Sequence, residues 1–216
     1  MVYTNLLTLP SLTEPSKEMV KPDKKSQLRR YLEITEPSLW VTRFAPLVPK
    51  NQPVLDLACG NARHARLFLA RGHSVVALDR NVEPLDDLTA NANAEIIGVD
   101  LEDGGHPEDG CNWPLAGRSF AGIVVVNYLY RPLFPYILDA VADGGVLIYE
   151  TFARGNEKYR RPRNPDHLLM DGELIDLVKD RFRIVCFEQG LVEKGPLPGV
   201  IQRICAVNGG AGPSPV

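Results

Sequence analysis

Apolar residues along this chain fall into short runs, separated by stretches with helical spacing, and that alternation predicts an α/β protein. Val54, Leu55 and Leu57 form the first run, suited to a strand buried on both faces. Ala58 to Ala62 is a turn of small residues. Ala62, Ala65 and Leu69 then recur at helical spacing, with Arg63, Arg66 and Arg71 elsewhere around the helix and Gly72 suited to its C-terminal cap. A second strand runs from Ser74 to Leu78 and carries Asp79 at its carboxyl end. The same reading gives a short helix over 84–93 with Leu85 and Leu88 inward, a third strand over 95–99 and a fourth over 120–126. A helix follows over 133–141, begun by Pro132. Asp143, Gly144 and Gly145 then make a turn before a fifth strand over 146–149. A long irregular segment occupies 152–166, and a helix capped by Asp171 reaches Asp180. Two strands over 182–187 and 200–207 are joined by a Gly/Pro-rich connection.

Upstream, 37–48 reads as a helix leading into the first strand, and 28–34 as a short helical piece. Residues 1–27 have prolines at 10, 15 and 22 and no sustained period, so they are expected to be a mobile tail, deletable without loss of folding. Residues 208–216 are expected to be disordered. The domain is thus placed at 28–207.

Bulk composition narrows the function classes. The chain has 216 residues, 44% apolar and 24% charged, enough for one domain with a proper core. The net charge of −3 carries no nucleic-acid signature, although residues 1–30 hold six basic against three acidic side chains. The four cysteines, Cys59, Cys111, Cys186 and Cys205, are scattered without a C-x-x-C pair, which argues against a zinc ribbon. His64, His73, His106 and His167 show no ligand spacing, so no metal is expected. Cys59, Cys186 and Cys205 read as buried small hydrophobes, and a reducing cytoplasm is the simplest setting. No run of 18 apolar residues and no signal-peptide core appear, so neither membrane spanning nor secretion is expected.

The strand–turn–helix–strand unit over 53–81 favours a nucleoside ligand. Small turn residues let the backbone approach the ligand, the helix N-terminus offers free N–H donors, and an acidic side chain about 20 residues on can accept from ribose hydroxyls. Asp79 stands 19 positions after Gly60. Of the G-x-G-x-x-G fingerprint only Gly60 is present, which suits a ligand without phosphate. A dinucleotide-binding oxidoreductase is the competing reading.

Asp56-Leu57-Ala58-Cys59-Gly60, with Asp79 after the next strand, resembles the first two motifs of class I S-adenosylmethionine-dependent methyltransferases. Asn61-Ala62-Arg63 and the later run from Arg71 to Asp79 are similar to the small tellurite-resistance-type subgroup. Ala58 and Ala62 stand where the family usually has glycine; alanine is a tolerable exchange at Ala58 if φ there is negative. The resemblance implies a Rossmann-like doubly wound sheet of seven strands, mostly parallel, with strand one central, helices on both faces and only the last strand antiparallel. It implies S-adenosyl-L-methionine as cofactor and S-adenosyl-L-homocysteine as product. Candidate cofactor residues are Asp56, Ala58, Cys59, Gly60, Asn61, Arg63, Asp79, Arg80, Asp100, Leu101 and Asn127, with Asp100 and the Leu101 N–H placed at the adenine. Trp40, Arg43 and Phe44 either lid the methionine end or pack on the sheet, and the loop around Trp113 is a candidate cover for the adenine edge.

Methyl transfer needs chiefly alignment of nucleophile, methyl carbon and leaving sulfur, with a base only where the nucleophile carries a proton. Carboxyl ends of parallel strands hold the ligands in such sheets. That places Asn127, Tyr128, Tyr130, Glu150 and His167 as catalytic candidates. Arg131, Thr151, Arg154, Tyr159, Arg161 and Arg163 are candidates for a small, polar or anionic acceptor, gripped by a loop that closes over it. The outer letters of Asn127–Tyr130 match the N-P-P-Y motif of amino-group methyltransferases without its prolines, leaving nucleic-acid or amine N-methylation as an alternative. A cofactor-binding partner or sensor without transfer activity is another. A monomer or homodimer is expected.

Overall fold

The computed structural model describes residues 33–104, 111–193 and 195–209. The tail expected over 1–27, positions 210–216 of the one expected over 208–216, nearly all of the helical piece at 28–34, and His106 lie outside the described residues. Helix α1 (Leu39–Phe44) runs into a short 3-10 turn and leads to β1 (Val54–Leu57). Then come α2 (Arg63–Ala70), β2 (Val75–Asp79), a 3-10 segment Glu83–Leu88 and β3 (Ala94–Gly98). The second half adds β4 (Phe120–Val126), α3 (Phe134–Ala140), β5 (Val141–Phe152), α4 (Glu173–Val178), β6 (Phe182–Val192) and β7 (Gly199–Asn208).

The seven strands lie in the order β3-β2-β1-β4-β5-β7-β6. All neighbours pair in parallel except β7, which is antiparallel to both β5 and β6. The middle of the sheet is therefore β4 rather than β1, and all seven β4 residues are buried. Its unbroken apolar run follows from helices covering both faces. On one face Leu133, Ile137, Leu174 and Val178 from the α3 and α4 segments pack with Leu55, Ile123, Leu147 and Tyr149. On the other, Trp40, Phe44, Ala65, Phe68, Leu85 and Leu88 pack with Val54, Val124 and Ile148.

Several local expectations shift. Asp143–Gly145 lies inside β5, at an irregularity in its pairing with β4, and pairing with β7 carries β5 beyond Tyr149 through Glu150 and Thr151 to Phe152. Strand β6 extends five residues beyond Phe187, because pairing with β7 continues through Val192. Asn208, expected in the tail, ends β7 and donates to Val141 O. Helix α4 starts from Gly172 at φ +68° with no side-chain cap. Asp171 instead accepts from the Gln189 side chain. The segment after β5 is compact: it carries two 3-10 turns and bridges Ala153 to Leu169.

Candidate functional site

A cavity of about 760 Å³ opens at the carboxyl ends of β1 to β5. One wall is the turn between β1 and α2. Ala58, Gly60 and Ala62 all adopt the left-handed region, with φ of +52°, +58° and +59°. At Ala58 the condition under which alanine is a tolerable exchange for glycine, a negative φ, is therefore not met, and the conformation costs an L-residue energy. The turn is held by a local set of bonds. Cys59 N donates to Leu78 O at 3.0 Å, Ala62 N to Cys59 O at 2.9 Å, and Gly60 N to Asp79 Oδ2 at 2.8 Å. Asp79 Oδ1 accepts from Asn81 N at 3.0 Å. Both oxygens of Asp79 thus keep lone pairs free for a ligand. Arg66 closes the far side, donating to Asn61 O, Pro84 O and the Asp87 carboxylate.

Ala62 cannot cap α2 with its side chain, so Asp56 caps it from β1: its Oδ2 accepts from Ala65 N at 2.8 Å. Burial pushes the Asp56 carboxyl up to about 7, against the Ala65 N–H and the Arg63 guanidinium, which favour the carboxylate. Beside it, His64 Nε2 accepts from Ser38 N at 3.2 Å, so the ring proton sits on Nδ1, 3.8 Å from Asp56 Oδ1. Burial holds the His64 pKa down at about 3, with Arg63 adding to it; the ring is neutral and the contact is not an ion pair. Burial and the carboxylates of Asp56 and Asp79 raise the Cys59 thiol well above its ordinary range.

The opposite wall comes from the β4 end and the segment after β5. Asn127 has φ +59°, which asparagine tolerates, and its N–H donates to Glu150 O at 2.9 Å. Tyr149 donates its hydroxyl to Tyr128 O at 3.0 Å. The Tyr128 hydroxyl is buried without a well-formed hydrogen bond among the described residues, and burial, then the Glu102 carboxylate, raises its pKa. Asn156 is fully buried and donates to Pro162 O at 3.1 Å and Arg160 O at 3.4 Å, fixing the turn that presents Arg161 and Arg163.

All eleven cofactor candidates line this one cavity: Asp56, Ala58, Cys59, Gly60, Asn61, Arg63, Asp79, Arg80, Asp100, Leu101 and Asn127. Tyr128 and His167, and from the acceptor set Thr151, Arg161 and Arg163, line it too. Five candidates do not. Glu150 accepts from Ser38 Oγ at 2.8 Å and from Arg203 at 3.2 Å, on the α1 side of the sheet. Arg131 forks onto Glu173 at 2.7 and 2.9 Å and donates to Asp166 O and Leu168 O, so it braces the segment after β5 from outside the cavity. Tyr130 packs on the core, Tyr159 is half exposed, and Arg154 lies away from the lining. Trp40 and Phe44 are buried in the sheet packing, with the Trp40 indole donating to Ile204 O, and Arg43 stacks over the Phe44 ring. Trp113 stacks on Tyr136 instead of covering the cavity.

His64, Asn81, Glu102 and Asn164 also line the cavity and were not candidates from sequence. Asn81 and Glu102 each lie two residues past a strand-end aspartate, and their N–H groups bond to it, a spacing that could have found them. Among the described residues no group of three His, Cys, Asp or Glu side chains is placed to hold a metal, and no helix is long and apolar enough to cross a membrane.

No family model and no curated protein matches the chain. Solved structures do. A 1,6-didemethyltoxoflavin-N1-methyltransferase from Burkholderia thailandensis, solved with S-adenosylhomocysteine, has 16% identity and a TM-score of 0.60, covering 85% of this chain and 84% of its own. TehB from Haemophilus influenzae has 16% identity and a TM-score of 0.58, covering 79% of this chain and 61% of its own. The [4+2]-cyclase SpnF has 13% identity and a TM-score of 0.56, covering 79% and 78%. At these identities the likeness is one of fold. The chain has the mostly parallel seven-stranded fold found in S-adenosylmethionine-dependent methyltransferases.

Proposed function

We propose that the chain is an S-adenosylmethionine-dependent methyltransferase acting on a small polar or anionic molecule. The observation that carries this reading is the join between Asp79 and the turn. A ribose-type acceptor is bonded directly to Gly60 N, and a Cβ built on Gly60 would meet nothing within 4 Å. The wall is open to close approach of a nucleoside, and the fold is shared with a methyltransferase solved with S-adenosylhomocysteine.

The cofactor would supply a methyl group made electrophilic by its sulfonium, with S-adenosylhomocysteine as the leaving product. Asp79 would accept from the ribose hydroxyls, and Asp100 with the Leu101 N–H would hold the adenine. On the side built by β1 to β3 the acids Asp79, Asp100 and Glu102 outnumber Arg63 and Arg80, while Arg161, Arg163 and His167 line the side after β5. That division suits a cationic cofactor on one side and an anionic acceptor on the other. His167 is the side chain best suited to take a proton from the acceptor, and the buried Tyr128 hydroxyl can bond to it. A cytoplasmic monomer or homodimer completes the reading.

Calorimetry with S-adenosylhomocysteine tests it. The chain should bind it, and Asp79→Ala should weaken binding by about 1.5–3 kcal/mol, the worth of hydrogen bonds to a charged group. Tight binding of NADH, or an unchanged affinity in the variant, overturns the assignment. A second reading, binding without transfer, is favoured by one observation: SpnF, named a cyclase, shares the fold. Turnover of the cofactor against a metabolite extract separates the two.

A further inference from the structure

Two cysteines face each other at the far edge of the sheet. Cys186 on β6 is the register partner of Cys205 on β7, next to a bulge between Ile184 and Cys186. Directly opposed residues of an antiparallel pair have Cα atoms about 4.5–5.5 Å apart, inside the range that a disulfide spans. Their side chains share a face. Cys205 sits in the cluster around Trp40 and Phe44, and Cys186 packs against that same cluster. Their neighbours Ile184, Phe187, Ile204 and Ala206 pack on the other face. Both thiols are free.

The two thiols differ in exposure. Cys186 is half-buried on the edge strand, not enclosed as its sequence context suggested, so an oxidant reaches it without the sheet opening. Burial, and then the nearness of Cys186, raise Cys205 to about 12, while the guanidinium groups of Arg183 and Arg43 pull in the other direction. Exchange therefore begins at the more exposed Cys186, and the buried Cys205 acts second, as the resolving thiol. Cys59, by contrast, is buried beside the carboxylates of Asp56 and Asp79, and no other cysteine is its register partner among the described strands.

We propose that Cys186 and Cys205 are a reversible disulfide site, closed by a small disulfide oxidant such as glutathione disulfide. The Cys186 thiolate attacks one sulfur of the oxidant and releases one glutathione thiol. The Cys205 thiolate then attacks Cys186 Sγ, forming the protein disulfide and releasing the second glutathione. Two protein thiols are oxidised, one glutathione disulfide is reduced to two thiols, and the two protons lost by the cysteines end on the glutathiones. The product pins the edge strand to β7.

The experiment incubates the full chain with glutathione disulfide, then counts free thiols after unfolding, measures intact mass and maps peptides without reduction. The expected result is loss of two of the four thiols, a mass lower by two hydrogens, and one cross-linked peptide joining Cys186 to Cys205. Excess reduced glutathione should restore all four. Cys186→Ser and Cys205→Ser should each abolish the cross-link. Retention of all four thiols, a lasting glutathione adduct on Cys186 with Cys205 still free, or a cross-link through Cys59 or Cys111 would overturn the proposal. The Cys186→Ser arm keeps the test valid where loss of the buried Cys205 thiol impairs folding.

Discussion

Replacing Ala58 by glycine should stabilise the protein. Ala58 holds φ +52°, and the left-handed region costs an L-residue about 1–2 kcal/mol. Glycine is free of that cost but loses about 0.4–1 kcal/mol through the larger entropy of its unfolded chain. The net gain is about 0.5–1 kcal/mol. Ala62, at φ +59°, provides the contrast. Its methyl is fully buried in the cluster around Phe68, and deleting a buried methyl costs about 0.8 kcal/mol. Ala62→Gly should therefore come out close to neutral, although its backbone strain is the same. Equilibrium urea unfolding of the two variants against the parent measures both effects, with the slope expected to stay constant. In a chain of this size about 1 kcal/mol moves the melting temperature by about 2–4 °C. Destabilisation by Ala58→Gly, or an equal gain from Ala62→Gly, would refute the argument that backbone strain at the turn and side-chain burial set these energies.

The remaining expectations concern the acceptor wall and the buried acid. Removing Arg161 and Arg163 together should cut turnover, by about 1.5–3 kcal/mol of lost transition-state binding, with S-adenosylhomocysteine affinity nearly unchanged in calorimetry. Arg154→Ala, outside the lining, should leave both alone. Arg131→Ala should cost about 1–3 kcal/mol of stability in urea unfolding because it strands Glu173 and two carbonyls. Arg131→Lys should not rescue it, since an ammonium cannot make the same fork. Asp56, raised from 3.8 to about 7, holds in the folded state a proton that the unfolded chain has released. Its contribution is full below 3.8 and is lost as pH rises through about 7. His64, lowered from 6.5 to about 3, contributes with the opposite slope: fully above 6.5, lost as pH falls towards 3. Asp56→Asn should thus gain stability relative to the parent as pH is raised from 3.8 to about 7, and a constant difference across that range would contradict the burial argument.

What the sequence made legible was whatever local chemistry decides. Strand β4 appears at the expected residues, Phe120 to Val126, because burial on both faces forces an unbroken apolar run. The turn and Asp79 were legible for the same reason, since they lie within one contiguous unit of strand, helix and strand. The outer half of β6 was not, because Glu188, Gln189 and Gly190 break the apolar pattern where the edge strand meets solvent. Nor was φ at Ala58, since the residue type there argues against the conformation that the turn imposes. Charged residues after β4 and β5 were placed by position alone, and their partners decide otherwise. Glu150 bonds Ser38, 112 residues away, and Arg131 bonds Glu173, 42 residues away. Distance along the chain hides such pairs from any reading of residue types.

The two walls of the cavity are consequently built on different principles. The side proposed for the cofactor is held by bonds within β1, α2 and β2: Gly60 N to Asp79, Ala65 N to Asp56, Cys59 N to Leu78 O. Each bond joins neighbouring elements of the sheet, and a substitution there should disturb the fold together with any ligand held on that wall. The side proposed for the acceptor hangs on a few side-chain struts that reach in from elsewhere, Arg131 with Glu173 on one flank and Asn156 on the other. Those struts grip backbone carbonyls at 160, 162, 166 and 168, and so hold the segment without using the side chains of Arg161, Arg163 and His167. Residues such as Arg161, Arg163 and His167 can then change without loosening the segment that carries them. On the proposed reading, such a scaffold keeps its cofactor wall while the opposite wall takes on new chemistry, so the acceptor is to be sought from the side chains at 161, 163 and 167 rather than from the fold.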